Sequence, residues 1–282
     1  MAGAEIAVRL AQYAALTLLF GLSAMRLYAP VEPMRRGLTI SLAVVAALAS
    51  LAGLLLLAAL LAEDPAILLS PSGTWSMVTA MGAGLAGLAR LGLLAALATI
   101  PPLWRPWPTR LMSGLALASL AWSGHAAAGE GALGLLQLAA DSLHLLAAGV
   151  WIGALAGFVA LVWPGRSVAN AERALSSFSG VGTACVALLL ATGLINLFAD
   201  TQGRPLTALG HSAWGVLLVV KLAGVAAMLG LASLNRWVLT PRLRAGGRPV
   251  GIRLSLTLEF GLGLGVLLLV AILGRLSPLG DG

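Results

Sequence analysis

Long apolar runs, separated by short polar segments, fill this sequence almost from end to end. Each run has about 20 residues with few charges, which is the length that an α-helix needs to cross the hydrocarbon core of a bilayer. Of the 282 residues, 60% are apolar and 10% are charged, whereas a soluble domain carries roughly 25% charged residues. The sequence therefore predicts an all-α, polytopic membrane protein.

A hydropathy window of about 19 residues predicts eight transmembrane helices, which form a single domain over residues 1–282. The helices are predicted near residues 4–28, 38–62, 75–100, 108–128, 134–163, 173–199, 211–236 and 253–274. Prolines fall between these runs, where the missing backbone N–H is tolerated, and none interrupts a predicted helix. No soluble domain is expected, because no segment between the runs exceeds roughly 20 residues.

Arginines predict the orientation of the helices, because short cytoplasmic loops carry an excess of Lys and Arg. The first, third, fifth and seventh loops are basic, and the others are acidic or weakly charged. The basic loops hold Arg26, Arg35 and Arg36; Arg105 and Arg110; Arg166 and Arg173; and Arg236, Arg242, Arg244, Arg248 and Arg253. Both termini are therefore predicted on the non-cytoplasmic side. The net charge of +7 reflects these loops, and without a contiguous basic tract nucleic-acid binding is not expected.

Small residues spaced four apart predict where helices pack closely, because they let two backbones approach each other. Such pairs occur in the last and in the third predicted helix. They are Gly261 with Gly265, Gly82 with Ala86, and Ala83 with Gly87.

All three histidines fall in the non-cytoplasmic half of the predicted bundle. His125 lies near the end of the fourth helix, His144 well inside the fifth, and His211 at the start of the seventh. Asp141 precedes His144 by one helical turn on the same face, where a carboxylate binds a metal or fixes the imidazole tautomer. For His211, an interfacial position with a water partner is the alternative.

Two methionines open the third predicted helix from the same side. Met77 and Met81 are four residues apart and are predicted to share one helix face. Thioether sulfur selects Cu(I), and imidazole binds copper in either oxidation state. Together with the histidines, these side chains predict a copper site near the non-cytoplasmic surface. Ordinary apolar packing is the alternative for both methionines.

A second group of polar residues lies deeper in the predicted helices. Arg90, Glu259 and Lys221, which is the only lysine, are expected to approach one another near or below the middle of the membrane. Unpaired charges at that depth are costly. The three residues are predicted to form an intramembrane charged network, which acts as an ion-paired brace or as a gate or proton relay.

Motifs of common enzyme classes are absent from the sequence. It contains no Walker A motif, Rossmann fingerprint, C-x-x-C, H-E-x-x-H or G-x-S-x-G. Cys185 is the single cysteine and lies in an apolar run, so a cysteine zinc site or an internal disulfide is not predicted. Neither enzymatic activity nor ATP-driven pumping is expected of this chain.

An ordered set of motifs resembles the copper resistance D (CopD) family over residues 112–274. The main segment is D-S-L-H-L-L-A-A-G-V-W-I-G-A-L from Asp141 to Leu155. It follows the S-G-H of residues 123–125 and precedes W-G-V-L-L-V-V-K-L at residues 214–222, the L-N-R of residues 234–236, Pro241 and Glu259. The first three helices fit the family mainly by topology.

The resemblance implies a multi-pass protein of the bacterial inner membrane that moves copper or helps to move it, and in that membrane the termini predicted from the arginines are periplasmic. It also implies a small periplasmic copper-binding partner of the CopC type. The positions that match the family pattern are His125, Asp141, His144, Trp151, Lys221, Asn235 and Glu259. His211 matches no position of that pattern.

Three functions remain open at this point. The leading hypothesis is copper transport or homeostasis, with copper bound by His125 and His144 and assisted by Met77, Met81 or Asp141. A haem-binding membrane redox protein is the second, because histidines on adjacent helices can serve as axial haem ligands. The third is a non-transporting docking protein for a periplasmic copper carrier.

Overall fold

The computed structural model describes residues 2–32, 34–123, 131–201 and 212–276. Ten α-helices account for most of these residues, and no β-strand occurs among them. The helices are α1 (Ala2–Ala24), α2 (Arg36–Leu61), α3 (Pro71–Thr79), α4 (Gly82–Thr99), α5 (Pro106–Ala118), α6 (Gly131–Leu161), α7 (Val168–Thr201), α8 (Ala213–Leu234), α9 (Thr240–Arg244) and α10 (Val250–Leu273). The prediction of an all-α membrane protein is confirmed.

Seven helical segments in the described residues are long and apolar enough to cross a bilayer. They are Gly3–Leu27, Arg36–Leu61, Gly82–Thr99, Gly131–Leu161, Val168–Thr201, Ala213–Arg244 and Val250–Leu273. The sixth of them continues from α8 into α9 through a π-helical turn, Asn235–Leu239. Each matches one of the predicted helices, and the fourth predicted helix is the one that does not reach this length.

The fourth predicted helix, 108–128, corresponds to α5 and a 3₁₀ helix, Ser119–Ser123, that follows it directly. The last part of the predicted range lies outside the described residues. α5 has 13 residues and the 3₁₀ helix has 5. At their respective rises per residue, the two together span roughly 30 Å, which is the thickness of the hydrocarbon core. The composite segment is therefore long enough to cross the membrane.

Contacts between the two ends of the described chain bear on the number of crossings. Glu5, in the first turns of α1, forms a 2.7 Å ion pair with Arg275, just after α10. Arg9 donates a hydrogen bond of 2.8 Å to the carbonyl oxygen of Gly274. Because both ends of the chain lie at the same end of the bundle, the described helices fit an even number of crossings, and we infer that α5 with its 3₁₀ helix supplies the eighth. We call this end of the bundle the terminal end.

The arginine-rich loops lie at the opposite end, which we call the basic end. Arg36 of the first loop lies over the ring of Trp104 of the third at 6.0 Å. Two contacts join the fifth and seventh loops: Arg244 pairs with Glu172 at 2.8 Å, and Arg253 donates to the carbonyl oxygen of Val162. This grouping is the pattern on which the predicted orientation rests. Which end faces the cytoplasm remains a prediction.

The third predicted helix, 75–100, is in fact two helices, α3 and α4. α3 begins earlier than predicted, because Pro71 occupies its first turn and the Ser70 hydroxyl accepts a hydrogen bond from the Gly73 N–H. The break follows Ala80, where Met81 is extended and precedes the first two glycines of α4, Gly82 and Gly84. Glycine is a weak helix former, and an added Cβ at Gly84 would overlap the Val78 carbonyl.

The closest helix packing joins α1 to α6. Gly149, Gly153 and Gly157 form a stripe on α6 that faces α1, and Gly21 of α1 lies directly against this stripe. A Cβ added at Gly21 or Gly153 would overlap the backbone of the other helix. These small residues bring the two backbones together, as is typical of membrane helices.

The glycines at which the sequence predicted close helix packing differ from those of the α1–α6 contact. In the described part of the chain, a Cβ added at Gly261, Gly265 or Gly82 would meet no atom within 4 Å. The prediction of close packing at Gly261 and Gly265 within this chain is therefore wrong. Gly87 does pack closely, against the side chain of Leu54 on α2.

Candidate functional site

A ladder of three polar pairs joins α6 to α7 in the half of the bundle near the terminal end. Gln137 donates to Asp200 at 3.2 Å, Asn196 donates to Asp141 at 3.0 Å, and His144 contacts Thr192 at 2.9 Å. The α6 members are spaced by four and three residues, so they share one helix face. We call these six residues the polar ladder. The ladder places His144 and Asp141 on the same side of α6, as predicted.

The Thr192 hydroxyl determines which imidazole nitrogen of His144 carries the proton. Thr192 is buried, and its Oγ1 lies 2.6 Å from the carbonyl oxygen of Leu188, so the hydroxyl proton is donated to that carbonyl. We infer that the same oxygen accepts from His144, which assigns the proton to His144 Nδ1. Nε2 therefore carries the free lone pair, which is the arrangement of a metal-ligating histidine.

Asp141 and Asp200 give this region its negative charge, and Lys221 of α8 gives it a positive one. Both carboxylates interact electrostatically with Lys221, and Lys221 interacts with His144. The only lysine of the chain thus lies within electrostatic range of the ladder. Three helices, α6, α7 and α8, contribute the charged and ligating groups of this candidate site.

The structure does not bring Arg90, Lys221 and Glu259 together, so the predicted charged network is wrong as one assembly. Arg90 of α4 donates to Ser119 and Ser123, at the end of the fourth crossing. Lys221 lies within electrostatic range of Asp141 and Asp200 of the polar ladder. The rotation of each helix about its axis directs the three side chains to different neighbours.

Glu259 instead forms a buried cluster with two residues that the family resemblance singles out. It is 1% exposed. Its Oε1 accepts from Trp151 Nε1 at 3.1 Å, and its Oε2 accepts from Asn235 Nδ2 at 2.9 Å. Trp151 lies seven residues after His144 on α6, so the cluster is roughly 10 Å nearer to the basic end. In the described residues no cation pairs with Glu259.

Replacing Glu259 with alanine is expected to destabilise the protein by about 1–3 kcal/mol, because the buried Trp151 and Asn235 donors would lose their acceptor. Glu259→Gln should destabilise the protein less than Glu259→Ala does. Asn235 Oδ1 has no partner, and a rotated Asn235 amide could accept from the new glutamine. Thermal unfolding of the two variants in detergent tests this, and equal destabilisation would show that the acceptor geometry is irrelevant.

The two methionines do not share a helix face, because the break after Ala80 separates them. Met77 lies in α3 and packs against the cluster of Leu54, Ala58 and Val78. Met81 precedes α4 and is 46% exposed. The prediction that they form one face of a single helix is wrong, and their role as copper ligands remains a prediction.

His125 and His211 lie outside the described residues, so His144 is the histidine whose surroundings the structure defines. Within the described ranges, no three His, Cys, Asp or Glu side chains group closely enough to hold a metal ion. A complete ligand set would therefore need groups beyond His144 and Asp141.

Sequence reasoning missed four members of the ladder: Gln137, Thr192, Asn196 and Asp200. Three of them recur every four residues along α7, at positions 192, 196 and 200. A polar stripe of this period in the apolar second half of a helix marks a face that avoids lipid. That periodicity was the signal in the sequence that could have identified α7 as the partner of His144.

The role of Thr192 can be tested separately from that of His144. Thr192→Val should weaken metal binding by about 10–100-fold, because an outer-shell partner that fixes the imidazole orientation is lost. Thr99→Val is the matched control, since the Thr99 hydroxyl also donates to the carbonyl four residues earlier but contacts no histidine. Competition titrations with a copper chelator give both affinities, and equal values for the two variants would contradict the assignment.

The fold and the site define a polytopic helical membrane protein with a histidine–carboxylate site between helices in one half of the bundle. Two family models match the chain: "Copper resistance protein D-like, N-terminal domain" over residues 1–135 and "Copper resistance protein D" over residues 172–273. The chain belongs to the copper resistance protein D family, as the sequence motifs predicted. It is a multi-pass inner-membrane protein.

Three curated relatives support this assignment. The chain is 41% identical over 180 residues to copper resistance protein D of Pseudomonas syringae pv. tomato, covering 60% of this chain and 58% of the relative. It is 33% identical over 167 residues to inner membrane protein YebZ of Escherichia coli K12, covering 56% and 55%. It is 33% identical over 176 residues to copper transport protein CutJ of Bacillus subtilis 168, covering 61% and 30%.

These matches cover less than two thirds of each relative. None of the three relatives is named as an enzyme. No solved structure matches the chain.

Proposed function

We propose that this protein binds copper at the polar ladder and passes it across the inner membrane. The observation that carries the proposal is the geometry at His144, where the hydrogen bond to Thr192 leaves Nε2 available as a ligand. Imidazole is a suitable ligand for either Cu(I) or Cu(II). Membership of the copper resistance protein D family and the names of two relatives support copper as the ion that is handled.

Asp141 completes the described part of this site. It lies one turn before His144 and is oriented by the Asn196 amide, so its carboxylate either binds the ion or neutralises its charge. Lys221 balances the charge of Asp141 and Asp200 in the absence of copper, because an ammonium group beside two carboxylates offsets their mutual repulsion. A copper ion that enters would take over this role.

The remaining ligands are proposed from the sequence. His125 follows the 3₁₀ helix after α5 in the sequence, and His211 precedes α8. Both of these helices have that end near the terminal end of the bundle, in the half that holds the ladder. Met77 and Met81 lie on α3 and at the start of α4, where thioether sulfur would favour Cu(I). We propose that two or more of these four residues join His144 at the ion.

Movement toward the basic end would bring copper from the ladder to the Glu259 cluster. Glu259 is a carboxylate without a cation partner in the described residues, and it lies about two helical turns farther along α6 than His144. A buried acidic group at that depth is a typical marker of an ion or proton pathway. We propose that Glu259 is the second polar site on the copper route, after His144.

Copper flux into proteoliposomes tests the proposal. Wild-type protein should raise copper uptake above that of empty liposomes, and His144→Ala should return uptake to the background. Binding without flux would contradict transport and support the docking function, in which the protein receives a periplasmic copper carrier of the CopC type. A Soret band in the purified protein would instead support the haem-binding function.

A further inference from the structure

A cavity between α1, α2, α4 and the 3₁₀ helix after α5 opens in the half of the bundle near the terminal end. Its accessible volume is about 130 Å³, which is room for several water-sized groups. Polar side chains contribute to its lining on one side and leucines on the other. The polar lining residues are Glu5, Arg9, Gln12, Tyr13, Ser50, Arg90 and Ser123. None of these belongs to the polar ladder or to the Glu259 cluster.

Arg90 is the central feature of this cavity. It is the ninth of the 18 residues of α4, so its guanidinium lies near the middle of a crossing, and it is 3% exposed. Its hydrogen bonds go to two neutral serines, Ser119 and Ser123. No carboxylate in the described residues lies within ion-pair distance. A buried cation at this depth requires a compensating charge.

The other charged groups of the cavity do not supply that charge. Glu5 is the one acidic residue in the lining, and its carboxylate is already paired with Arg275 at 2.7 Å. Arg9 adds a second positive charge and donates to the Gly274 carbonyl. The lining thus carries an excess of positive charge around Arg90. Ser50 strengthens the case, because its buried hydroxyl has no hydrogen-bond partner in the described structure.

We propose that this cavity binds an oxyanion, a phosphate or carboxylate group, with the Arg90 guanidinium as its principal donor. Guanidinium binds two oxygens of such a group through parallel hydrogen bonds. Ser50 and Tyr13 are further hydroxyl donors in the lining. The apolar part of the lining, with Leu56, Leu57 and Leu60, admits either a free ion or the headgroup of an anionic lipid. The site is independent of the copper site and does not rest on the proposed function.

Thermal unfolding of the detergent-purified protein at constant ionic strength, titrated with inorganic phosphate or acetate against chloride, tests the free-ion source. Wild-type protein should show a saturable rise in Tm, and Arg90→Gln should weaken the apparent affinity at least tenfold. Arg90→Lys keeps the positive charge but cannot form two parallel hydrogen bonds. Its apparent affinity should therefore lie between those of wild type and Arg90→Gln. Arg253→Gln, which removes an arginine at the basic end, should behave as wild type.

Nanodiscs test the lipid source. Wild-type protein in discs with phosphatidylglycerol should be more stable than in discs of phosphatidylcholine alone, and Arg90→Lys should show a smaller difference. Stabilisation in either arm that depends on Arg90 supports the proposal and identifies the source. Absence of stabilisation in both arms, or equal stabilisation of wild type and Arg90→Lys, overturns it. Because Arg90→Lys retains the buried charge, this test remains valid if Arg90→Gln does not fold.

Discussion

Gly153→Ala is expected to destabilise the bundle by about 3 kcal/mol or more, at the upper end of the range for overpacking. The added methyl group would meet the backbone atoms of Gly21 and Leu22 on α1. Backbone of a packed helix cannot rotate away as a side chain can, so α1 and α6 would have to separate. Their separation would also loosen the neighbouring contacts of Gly149 with Phe20 and of Gly157 with Met25.

Gly261→Ala provides the matched control for this change. Gly261 is an exposed glycine in the interior of α10, and in the described structure its added Cβ meets nothing within 4 Å. The same methyl group there should change stability by no more than about 1 kcal/mol, with better helix propensity as the favourable contribution. The fraction of monodisperse protein that survives a temperature series measures both variants. Equal stability of the two would mean that α1 and α6 are not packed backbone to backbone.

His144→Ala is expected to reduce copper affinity by at least ~100-fold, which exceeds the effect of losing an outer-shell partner. The substitution removes Nε2, the lone pair that the Thr192 hydrogen bond leaves free. Competition against a chromophoric Cu(I) chelator measures the affinity. The effect should greatly exceed that of Thr192→Val, because the latter keeps the ligand and loses only its orientation.

Ser142→Ala serves as the control for His144→Ala. Ser142 lies two residues earlier on α6, and its hydroxyl donates to the Leu138 carbonyl of the same helix. Its removal should leave copper affinity unchanged. If His144→Ala and Ser142→Ala bound copper equally well, His144 would not be a ligand, and the proposed copper site would have to lie elsewhere in the chain.

The membrane class and the order of the helices were predictable from the sequence, because apolar length and arginine placement act locally. The break between α3 and α4 was not predicted, although its cause is present in Gly82 and Gly84. A hydropathy window averages over such residues, and two glycines among alanines and leucines hardly change the mean. The departure from helical geometry becomes evident only where Gly84 packs against the Val78 carbonyl.

The sequence could not predict which side chains of different helices lie next to each other in the site. Counting residues from a helix end gives an approximate depth for Arg90, Lys221 and Glu259, but it gives no information on their lateral positions. Which residues meet depends on how each helix is rotated and which helix lies opposite. The same limit explains the glycine motifs, since Gly149 and Gly153 have the same spacing as Gly261 and Gly265. Only the presence of α1 opposite the first pair distinguishes them.

The family motifs predicted which residues lie together better than depth along the helices did. Trp151, Asn235 and Glu259 come from three separate segments of the sequence and form one hydrogen-bonded cluster. Asp141 and His144 likewise share the face of α6 that meets α7. Thr192 was overlooked because threonine commonly donates to its own helix in a membrane span, and nothing about the residue type indicates that its oxygen also orients a histidine.

Metal analysis of the detergent-purified protein, with its absorption spectrum recorded on the same sample, tests the central claim most directly. After exposure to copper and removal of the unbound ion, wild-type protein should retain copper, lack a Soret band, and lose the copper when His144 is replaced by alanine. Wild-type protein that retains no copper with His144 intact, or that carries haem instead, would contradict the proposed function.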